Sequence, residues 1–279
     1  MRSPIALTLA LLGAAQLGET ASAGCGKAAP QSGTKSMQVN GKNRQYILQV
    51  PQNYQPNKPH RLVFGYHWRD GNMNNVAQGG FYGLQGLAAS STPTIFIAPN
   101  GLNAGWANQG GEDITFTDQM LAFAKQNLCI EEKQVFATGW SYGGSMSHSV
   151  ACSRPNDFAA VAVISGAQLS GCNGGNTPTA YLGIHGSSDN VLGINLGRQL
   201  RDKWIGTNGC QQKNVVDPNP GAQNHVKTTY TCSRKPVTWI AHGGGHVPDP
   251  TGTNGVKFAP GETWSFFNAA VGGSAKTRS

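Results

Sequence analysis

The sequence predicts an α/β protein, with a mostly parallel central sheet flanked by helices in a single domain. Short apolar runs bounded by turn residues alternate with segments of helical periodicity, as expected when helices connect parallel strands. The 279 residues are 38% apolar and only 12% charged, which favours a substantial buried core over a disordered chain or a long-helix protein. No internal repeat and no Ser/Thr/Pro-rich linker divides the chain.

The N-terminal segment has the features of a secretion signal. Arg2 precedes an apolar run over Ile5–Ala15, and Ala-Ser-Ala at positions 21–23 forms a cleavage site. The apolar run is too short to cross a bilayer as a stable helix. We therefore expect a secreted chain that does not associate with membranes. Its predicted parts are a signal peptide at 1–23, one folded domain at 24–271 and a C-terminal tail at 272–279.

Seven predicted strands and four predicted helices make up this alternation. Strands are predicted at Tyr46–Val50, Arg61–Tyr66, Thr94–Ala98, Gln134–Thr138, Ala159–Ile164, Ala180–His185 and Val237–Ala241. Helices are predicted at Ile114–Gln126 with Asp113 as N-cap, at Ser145–Cys152, at Asn195–Thr207 and at Gly261–Val271.

Six cysteines follow the signal segment, an even number that predicts disulfides in an exported chain. Two of them, Cys210 and Cys232, border a strand-loop-strand segment, so we expect them to pair. The pairing of the other four is open, and the absence of a CxxC spacing argues against a metal site. The six are Cys25, Cys129, Cys152, Cys172, Cys210 and Cys232.

The formal net charge of +8 arises from 21 Lys and Arg against 13 Asp and Glu. These basic residues are spread thinly rather than gathered into a stripe, which argues against nucleic-acid binding. A solvated basic surface is the simplest interpretation, with a weak attraction to acidic polysaccharides as its best functional use.

The sharpest local motif is the G-x-S-x-G at Gly139–Gly143, which centres on Ser141. It is weak alone because glycine is abundant, with 38 residues in the chain. Its setting strengthens it, since a predicted strand precedes it and a predicted helix follows. That strand–turn–helix arrangement is typical of a nucleophile elbow. The alternative is a Gly-rich turn with an inert serine.

A serine nucleophile requires a histidine base and a carboxylate that orients it. Both are expected later in the chain, each in a loop after a strand, and Asp189 and His246 fit this order. Weaker candidates are Asp202 or Asp217 for the acid and His242 for the base. His185 and His225 are more simply interpreted as ordinary hydrogen-bonded or surface histidines.

When a serine attacks an ester carbonyl, the carbonyl oxygen becomes a negatively charged oxyanion, which requires two N–H donors. One is expected from Tyr142 and the second from Trp68 or Arg69, in the loop after the strand Arg61–Tyr66. Trp68, Trp106 and Trp140 lie in or near these loops and are the candidates to line a pocket for an aromatic group.

Five segments of the chain resemble secreted fungal feruloyl esterases, which are related to family 1 carbohydrate esterases and bacterial polyhydroxybutyrate depolymerases. They are GYHWRDGNM, ATGWSYGGSM, FAAVAVISGAQLSGC, IHGSSDNV and WIAHGGGHVPDP. The resemblance extends over about Gly24 to Val271 and implies an α/β-hydrolase fold with Ser141, Asp189 and His246 as triad. The chain has His67-Trp68-Arg69 where the depolymerase-like relatives usually show His-Gly-Cys. That departure favours the feruloyl esterase branch.

From this resemblance we expect a secreted, monomeric serine carboxylesterase that uses no cofactor and no metal. Its expected substrates are feruloylated plant cell-wall polysaccharide (arabinoxylan or pectin) and small hydroxycinnamate esters, from which it would release ferulic and related acids. The alternatives are an acetylxylan esterase or a polyester depolymerase with the same triad, and a non-catalytic carbohydrate-binding protein.

Overall fold

A computed structural model describes residues 20–272 of the chain. The strands are β1 (Gly33–Val39), β2 (Lys42–Gln49), β3 (His60–Tyr66), β4 (Thr94–Pro99), β5 (Ile130–Trp140), β6 (Ala160–Ile164), β7 (Ala180–Gly186), β8 (His225–Thr229) and β9 (Val237–His242). The helices are α1 (Met73–Gln78), α2 (Leu84–Ser91), α3 (Glu112–Asn127), α4 (Tyr142–Ser153), α5 (Ile194–Asn208) and α6 (Ala259–Val271).

All the strands join one sheet in the order β1-β2-β4-β3-β5-β6-β7-β9-β8. The strands from β4 to β9 in this order pair in parallel, while β1, β2 and β8 form antiparallel pairs towards the two edges. Because parallel strands share one direction, the loops at their carboxyl ends gather along one edge of the sheet. The predicted α/β fold with a mostly parallel sheet is confirmed.

Helices cover both faces of the sheet, and each face has its own core. On one face, α3, α4 and α5 contribute side chains such as Phe116, Met146 and Trp204 to the larger core. On the other face, α1, α2 and α6 contribute Val76, Phe267 and their neighbours. Strands buried on both faces are continuously apolar, which explains why these strands could be recognised in the sequence.

The predicted helix at Ile114–Gln126 corresponds to α3, but Asp113 is not its N-cap. Gly111 occupies that position, and Asp113 lies inside the first turn. The carboxylate of Asp113 is buried and pairs with Arg44 at 2.7 Å, and it also accepts a hydrogen bond from the Asn108 amide. Arg44 lies 69 residues earlier in the sequence, so nothing in the local sequence indicated this partner.

Residues 20–23, which precede the predicted signal boundary, make contacts with the rest of the chain. Residues 1–19 lie outside the described part, but Thr20 to Ala23 are integrated into the fold. The Ser22 hydroxyl donates to the Leu128 carbonyl at 2.6 Å and accepts from the Ile130 amide at 2.8 Å. The Glu132 amide donates to the Thr20 carbonyl. Cleavage after Ala23 would remove these contacts.

We therefore predict that the mature chain begins at or before Thr20 rather than at Gly24. N-terminal sequencing of the exported protein is the measurement. A mature chain that begins at Gly24 would show that the contacts of Ser22 are dispensable.

Three disulfides tie the described chain together. Cys210 pairs with Cys232, the pair expected from the sequence. The two pairings left open are Cys25–Cys129 and Cys152–Cys172. The first closes a loop of 104 residues, which in the chain-entropy model stabilises the fold by about 4 to 5 kcal/mol.

Three buried histidines make stability depend on pH. Burial lowers the pKa of His148 to about 3 and those of His67 and His242 to about 4. In the unfolded chain a histidine titrates near 6.5. The unfolded state therefore binds more protons as the pH falls below about 6.5, and the free energy of unfolding decreases.

We predict that the melting temperature falls as the pH is lowered from about 6.5 to 5, measured by thermal unfolding. The variant His148→Gln provides a comparison, because its amide oxygen can still accept the hydrogen bond from Trp204 Nε1 but does not titrate. Its melting temperature should depend less steeply on pH. If the melting temperatures of the variant and the wild type depend equally steeply on pH, His148 is not a source of the pH dependence.

Candidate active site

The predicted triad residues all follow the carboxyl ends of parallel strands. Ser141 comes directly after β5, Asp189 three residues after β7, and His246 four residues after β9. The loop with Trp68 follows β3, the neighbour of β5 in the sheet. The topology therefore brings these loops to the same edge, which is where open α/β sheets bind their ligands.

Ser141 lies in a strained turn. Its φ of 58° and ψ of −120° fall outside the regions that ordinary residues prefer. The turn is held by the Ser141 amide, which donates to the Ile164 carbonyl at 2.9 Å. Ser141 caps α4, so the N–H groups of the first helical turn point towards the serine side of the turn, where a negative charge is stabilised.

Two glycines let the backbones at this turn come into contact. A Cβ on Gly143 would lie 2.0 Å from the Tyr66 carbonyl oxygen at the end of β3. A Cβ on Gly139 would lie 2.4 Å from the Gly143 carbonyl carbon. The motif glycines are therefore required by the close approach of the elbow to β3.

His246 is oriented by Asp189. The imidazole Nδ1 is 2.7 Å from Asp189 Oδ2, so Nδ1 carries the proton and Nε2 is left as the basic nitrogen. The other carboxylate oxygen, Oδ1, accepts from the amides of Val191 and Leu192 at 2.9 and 2.8 Å. The side chain of Asp189 is fully buried, and that of His246 is 10% exposed.

These contacts keep Asp189 ionised. Burial alone would raise the pKa of its carboxyl, but the hydrogen bonds from His185 and His246, followed by those from two backbone amides, bring the pKa well below its usual range. A carboxylate that stays charged stabilises an imidazolium on His246.

His185 is a contact of the acid that sequence reasoning missed. Its Nε2 lies 2.6 Å from the Leu192 carbonyl and 3.3 Å from Asp189 Oδ2. Because a carbonyl only accepts, this nitrogen carries the proton and shares it between the two oxygens. The spacing of His185 and Asp189, four residues apart at the end of a strand, was the available sequence signal.

We predict that His185→Phe lowers kcat about 10-fold with little change in KM, because one hydrogen bond to the Asp189 carboxylate is lost. The acid limb of the pH–rate profile should also shift. His185→Gln retains an N–H donor and should recover much of the rate. Steady-state kinetics of both variants across pH test this prediction. Equal losses of kcat in the two variants would indicate that the His185 side chain acts through packing rather than through its hydrogen bond to Asp189.

Ser141 adjoins Trp140, which packs against the base, but no hydrogen bond joins Ser141 to His246 among residues 20–272. The Trp140 ring, next to Ser141 in the chain, is 5.0 Å from the His246 imidazole between centroids. Nucleophile–base hydrogen bonds are often long before substrate binds. The arrangement is suited to attack by Ser141 on an ester carbonyl with His246 as the base.

The weaker candidates have other roles. Asp217 binds Arg198 at 2.7 Å and accepts from Trp239 Nε1 at 3.1 Å, while Asp202 pairs with Arg201 on α5. His242 Nδ1 accepts from the Gly244 amide at 3.2 Å. None of these contacts involves Ser141.

The loop after β3 that carries Trp68 and Arg69, the oxyanion loop, is anchored through His67. Its Nε2 accepts from the Gly101 amide at 2.9 Å and its Nδ1 lies 2.7 Å from the Trp68 carbonyl. Burial lowers the pKa of His67 to about 4, so it is neutral and Nδ1 donates. The amides of Trp68 and Arg69 donate to no protein acceptor within the described residues, and both stay open as the second donor.

Trp106 does not line the cleft, contrary to our expectation. Its side chain is fully buried, and its Nε1 donates to the His67 carbonyl at 2.7 Å. The ring packs edge-on against Tyr66 at 5.2 Å. Trp106 therefore supports the oxyanion loop from beneath. Trp68 and Trp140 are only partly buried, with ring centroids 5.3 Å apart, and they form an aromatic wall beside His246.

One group of potential metal ligands lies away from this site. His148, Cys152 and Cys172 have ligand atoms within 4.8 Å of one another. The two sulfurs, however, are joined in a disulfide, so neither is a thiolate that could bind a metal. The buried imidazole of His148 instead accepts from Trp204 Nε1 at 3.2 Å.

The chain is similar to known proteins in family, sequence and structure. The model of the prolyl oligopeptidase family matches residues 102–168, around the elbow. The chain is 49% identical over 268 residues to a probable feruloyl esterase C of Aspergillus clavatus, which covers 95% of this chain and 96% of that protein. It is 47% identical to feruloyl esterase C of Emericella nidulans, over 89% of this chain and 92% of the relative.

Solved structures share the fold at low identity. An acetyl xylan esterase from Aspergillus awamori matches with a TM-score of 0.60 and 19% identity, covering 77% of this chain and 95% of that one. A CE1 ferulic acid esterase from Anaeromyces mucronatus matches with a TM-score of 0.59 and 13% identity, covering 87% and 91%. The fold is thus that of esterases, and the near-full-length sequence identity shows that the chain belongs to the feruloyl esterase family.

Proposed function

We propose that the protein is a serine carboxylic ester hydrolase that releases ferulic and related hydroxycinnamic acids from feruloylated cell-wall polysaccharide, such as arabinoxylan or pectin. The observation that carries the proposal is the hydrogen bond of 2.7 Å from His246 to Asp189 beside the strained Ser141 turn. The family to which the chain belongs adds the substrate class. Small esters of the same acids are expected substrates as well.

In the proposed first step, Ser141 Oγ attacks the ester carbonyl while His246 Nε2 takes its proton. The Tyr142 amide and the amide of Trp68 or Arg69 donate to the oxyanion, each contributing about 3 kcal/mol. When the intermediate collapses, His246 returns the proton to the sugar oxygen, which leaves as an alcohol. Ser141 then carries the hydroxycinnamoyl group as an ester.

The second step repeats this chemistry with water. His246 Nε2 removes a proton from the water as it attacks the acyl carbonyl, and the same amides bind the new oxyanion. The proton then passes to Ser141 Oγ as the carboxylic acid is released. Asp189 holds the Nδ1–H tautomer throughout and stabilises the imidazolium, so these residues complete the cycle.

We also propose that the enzyme works outside the cell, as a monomer. The N-terminal apolar run and three disulfides support export to an oxidising compartment. Within residues 20–272, the helices are all too short or too polar to cross a membrane.

Hydrolysis of methyl ferulate, acetylated xylan and a short polyester by the purified protein tests the substrate class. We expect methyl ferulate to have the highest kcat/KM of the three. Release of acetate without release of ferulate would overturn the proposal in favour of an acetylxylan esterase, and polyester cleavage alone would favour a depolymerase.

A further inference from the structure

The hydroxyl of Tyr82 lies where the end of β3 meets the turn that carries the nucleophile. It donates a hydrogen bond at 2.6 Å to the carbonyl of Tyr66, the last residue of β3. Tyr66 pairs with Gly139 of β5, and a Cβ on Gly139 or on Gly143 would lie 2.7 Å or 2.0 Å from the same carbonyl oxygen. The oxygen that Tyr82 binds is therefore the one against which both motif glycines are packed.

The surroundings of this hydroxyl keep it protonated and next to Ser141. Burial raises the pKa of the Tyr82 phenol, and the nearby backbone of Trp140, which directly precedes Ser141, lowers that pKa in part. A protonated phenol has one hydrogen to donate, and this hydrogen is engaged with the Tyr66 carbonyl. Tyr82 therefore has no further proton to donate to a substrate, and its effect on the reaction must pass through the backbone that it binds.

The carbonyl of Tyr66 is close in the chain to both proposed oxyanion donors. Trp68 and Arg69 follow Tyr66 by two and three residues, and Tyr142 directly precedes Gly143. Amide donors stabilise an oxyanion only when each lies about 3 Å from the position that the oxygen occupies. A shift of the Tyr66 carbonyl relative to the elbow would change the distance between the two donors.

The turn that presents Tyr82 is strained and anchored to the sheet. Gly80, Phe81, Tyr82 and Gly83 have φ angles of 60°, 53°, 60° and 75°, which is unfavourable for the two aromatic residues. The Phe81 ring is buried and stacks on Phe96 of β4, with 4.8 Å between the ring centroids. Strain of this kind persists where the surrounding structure fixes it and is concentrated at functional sites. Here it presents the Tyr82 side chain to the end of β3.

We propose that Tyr82 is a positioning residue for ester hydrolysis, whose hydroxyl holds the end of β3, and with it the oxyanion loop, against the nucleophile elbow. The inference rests on the proposed function, because it assigns Tyr82 to the oxyanion site of that reaction. An oxyanion forms in both acylation and deacylation, so loss of the hydrogen bond slows whichever step limits the rate. The effect concerns the carbonyl of the ester and is independent of the acyl group.

The variant Tyr82→Phe tests this role, because it removes the hydroxyl and retains the ring with its packing. We expect kcat for methyl ferulate and kcat for 4-nitrophenyl acetate to fall by a similar factor of about 10-fold. The KM of each ester should stay nearly the same. Wild-type kcat on both esters would overturn the proposal. A loss confined to methyl ferulate would overturn it as well, because the hydroxyl would then act on the acyl group.

The matched control is Tyr181→Phe. Tyr181 lies on β7 and is fully buried, and its hydroxyl has no hydrogen-bond partner among residues 20–272. This variant should keep the wild-type kcat on both esters. A loss as large as in Tyr82→Phe would show that removal of any buried phenol oxygen slows the enzyme, and the specific role of Tyr82 would be refuted.

A rescue variant tests the hydrogen bond itself. Replacing Tyr82 with 4-aminophenylalanine restores a donor at the same position on the ring, so kcat should recover most of the way to the wild-type value. Thermal unfolding of each variant shows that it is folded at the assay temperature. A folded rescue variant as slow as Tyr82→Phe would contradict the role of the hydrogen bond.

Inhibition by phenylboronic acid distinguishes positioning of the donors from a general loss of binding. A boronic acid forms a tetrahedral adduct with the serine, which resembles the transition state, so its inhibition constant should rise about 10-fold in Tyr82→Phe. In the Ser141→Ala background, calorimetry should give the same Kd for methyl ferulate with and without Tyr82→Phe. An unchanged inhibition constant, or a Kd that rises by the same factor, would overturn the proposal.

The two esters also separate this inference from the proposed function. If the wild type hydrolyses 4-nitrophenyl acetate but not methyl ferulate, the proposed function fails, while a 4-nitrophenyl acetate rate that falls in Tyr82→Phe still supports the positioning role. If the wild type hydrolyses both esters and Tyr82→Phe matches it, only the positioning role fails.

Discussion

Replacing Ser141 with alanine is expected to lower kcat for methyl ferulate by about 10⁴-fold or more, because the proposed mechanism forms its acyl-enzyme on this hydroxyl. His246 and Asp189 remain paired in the variant, so the residual rate would report what oxyanion binding alone provides. The measurement is the initial rate of ferulate release at saturating substrate.

Ser153→Ala is the matched control for this prediction. Ser153 is the last residue of α4, the helix that Ser141 caps, and its hydroxyl has no hydrogen-bond partner among the described residues. It should keep wild-type turnover, and both variants should melt near the wild-type temperature. Substantial activity in Ser141→Ala would refute the proposed nucleophile.

The buried strands were predictable because both of their faces require apolar side chains. β3, for example, is the continuous run HRLVFGY with nearly every residue buried. The edge strands were missed for the opposite reason. β1 alternates between partly exposed and exposed positions and contains polar residues throughout, and β8 is only partly buried. Pairing with a neighbouring strand, rather than local composition, stabilises both.

The short helices α1 and α2 were also missed. They have six and eight residues, and isolated helices of that length are not stable in water. Packing of Val76 and Leu84 on the sheet stabilises them in the fold. Because tertiary contacts rather than local periodicity stabilise them, neither helix could be predicted from the sequence.

The chain order of serine, acid and base was sufficient to single out the three candidate residues, because each follows a recognisable strand. The role of Trp106, in contrast, could not be predicted from the sequence. Its partner is the His67 carbonyl, 39 residues earlier in the chain, and a tryptophan in a polar loop is compatible with either a cleft or a buried support. Only the three-dimensional contact distinguishes the two.

Gly143→Ala is expected to destabilise the fold by about 3 kcal/mol and to lower the rate of ester hydrolysis as well. The added Cβ would overlap backbone atoms, 2.0 Å from the Tyr66 oxygen and 2.7 Å from the His67 oxygen. Backbone on both sides cannot rotate away as a flexible side chain could. The elbow and the oxyanion loop must therefore separate, and the two N–H donors would move apart.

Gly206→Ala distinguishes this steric effect from the general effect of adding a methyl group to a helix. Its Cβ has open space, so alanine should stabilise α5 by up to about 1 kcal/mol and leave the rate unchanged. The free energy of unfolding from urea titration and kcat/KM for methyl ferulate are measured for both variants. If Gly143→Ala matches the wild type in both, the contact between the elbow and β3 does not hold the oxyanion donors in position. If it loses rate and stability together, the same backbone contact that fixes the turn also fixes the second donor, since His67 directly precedes Trp68 in the chain.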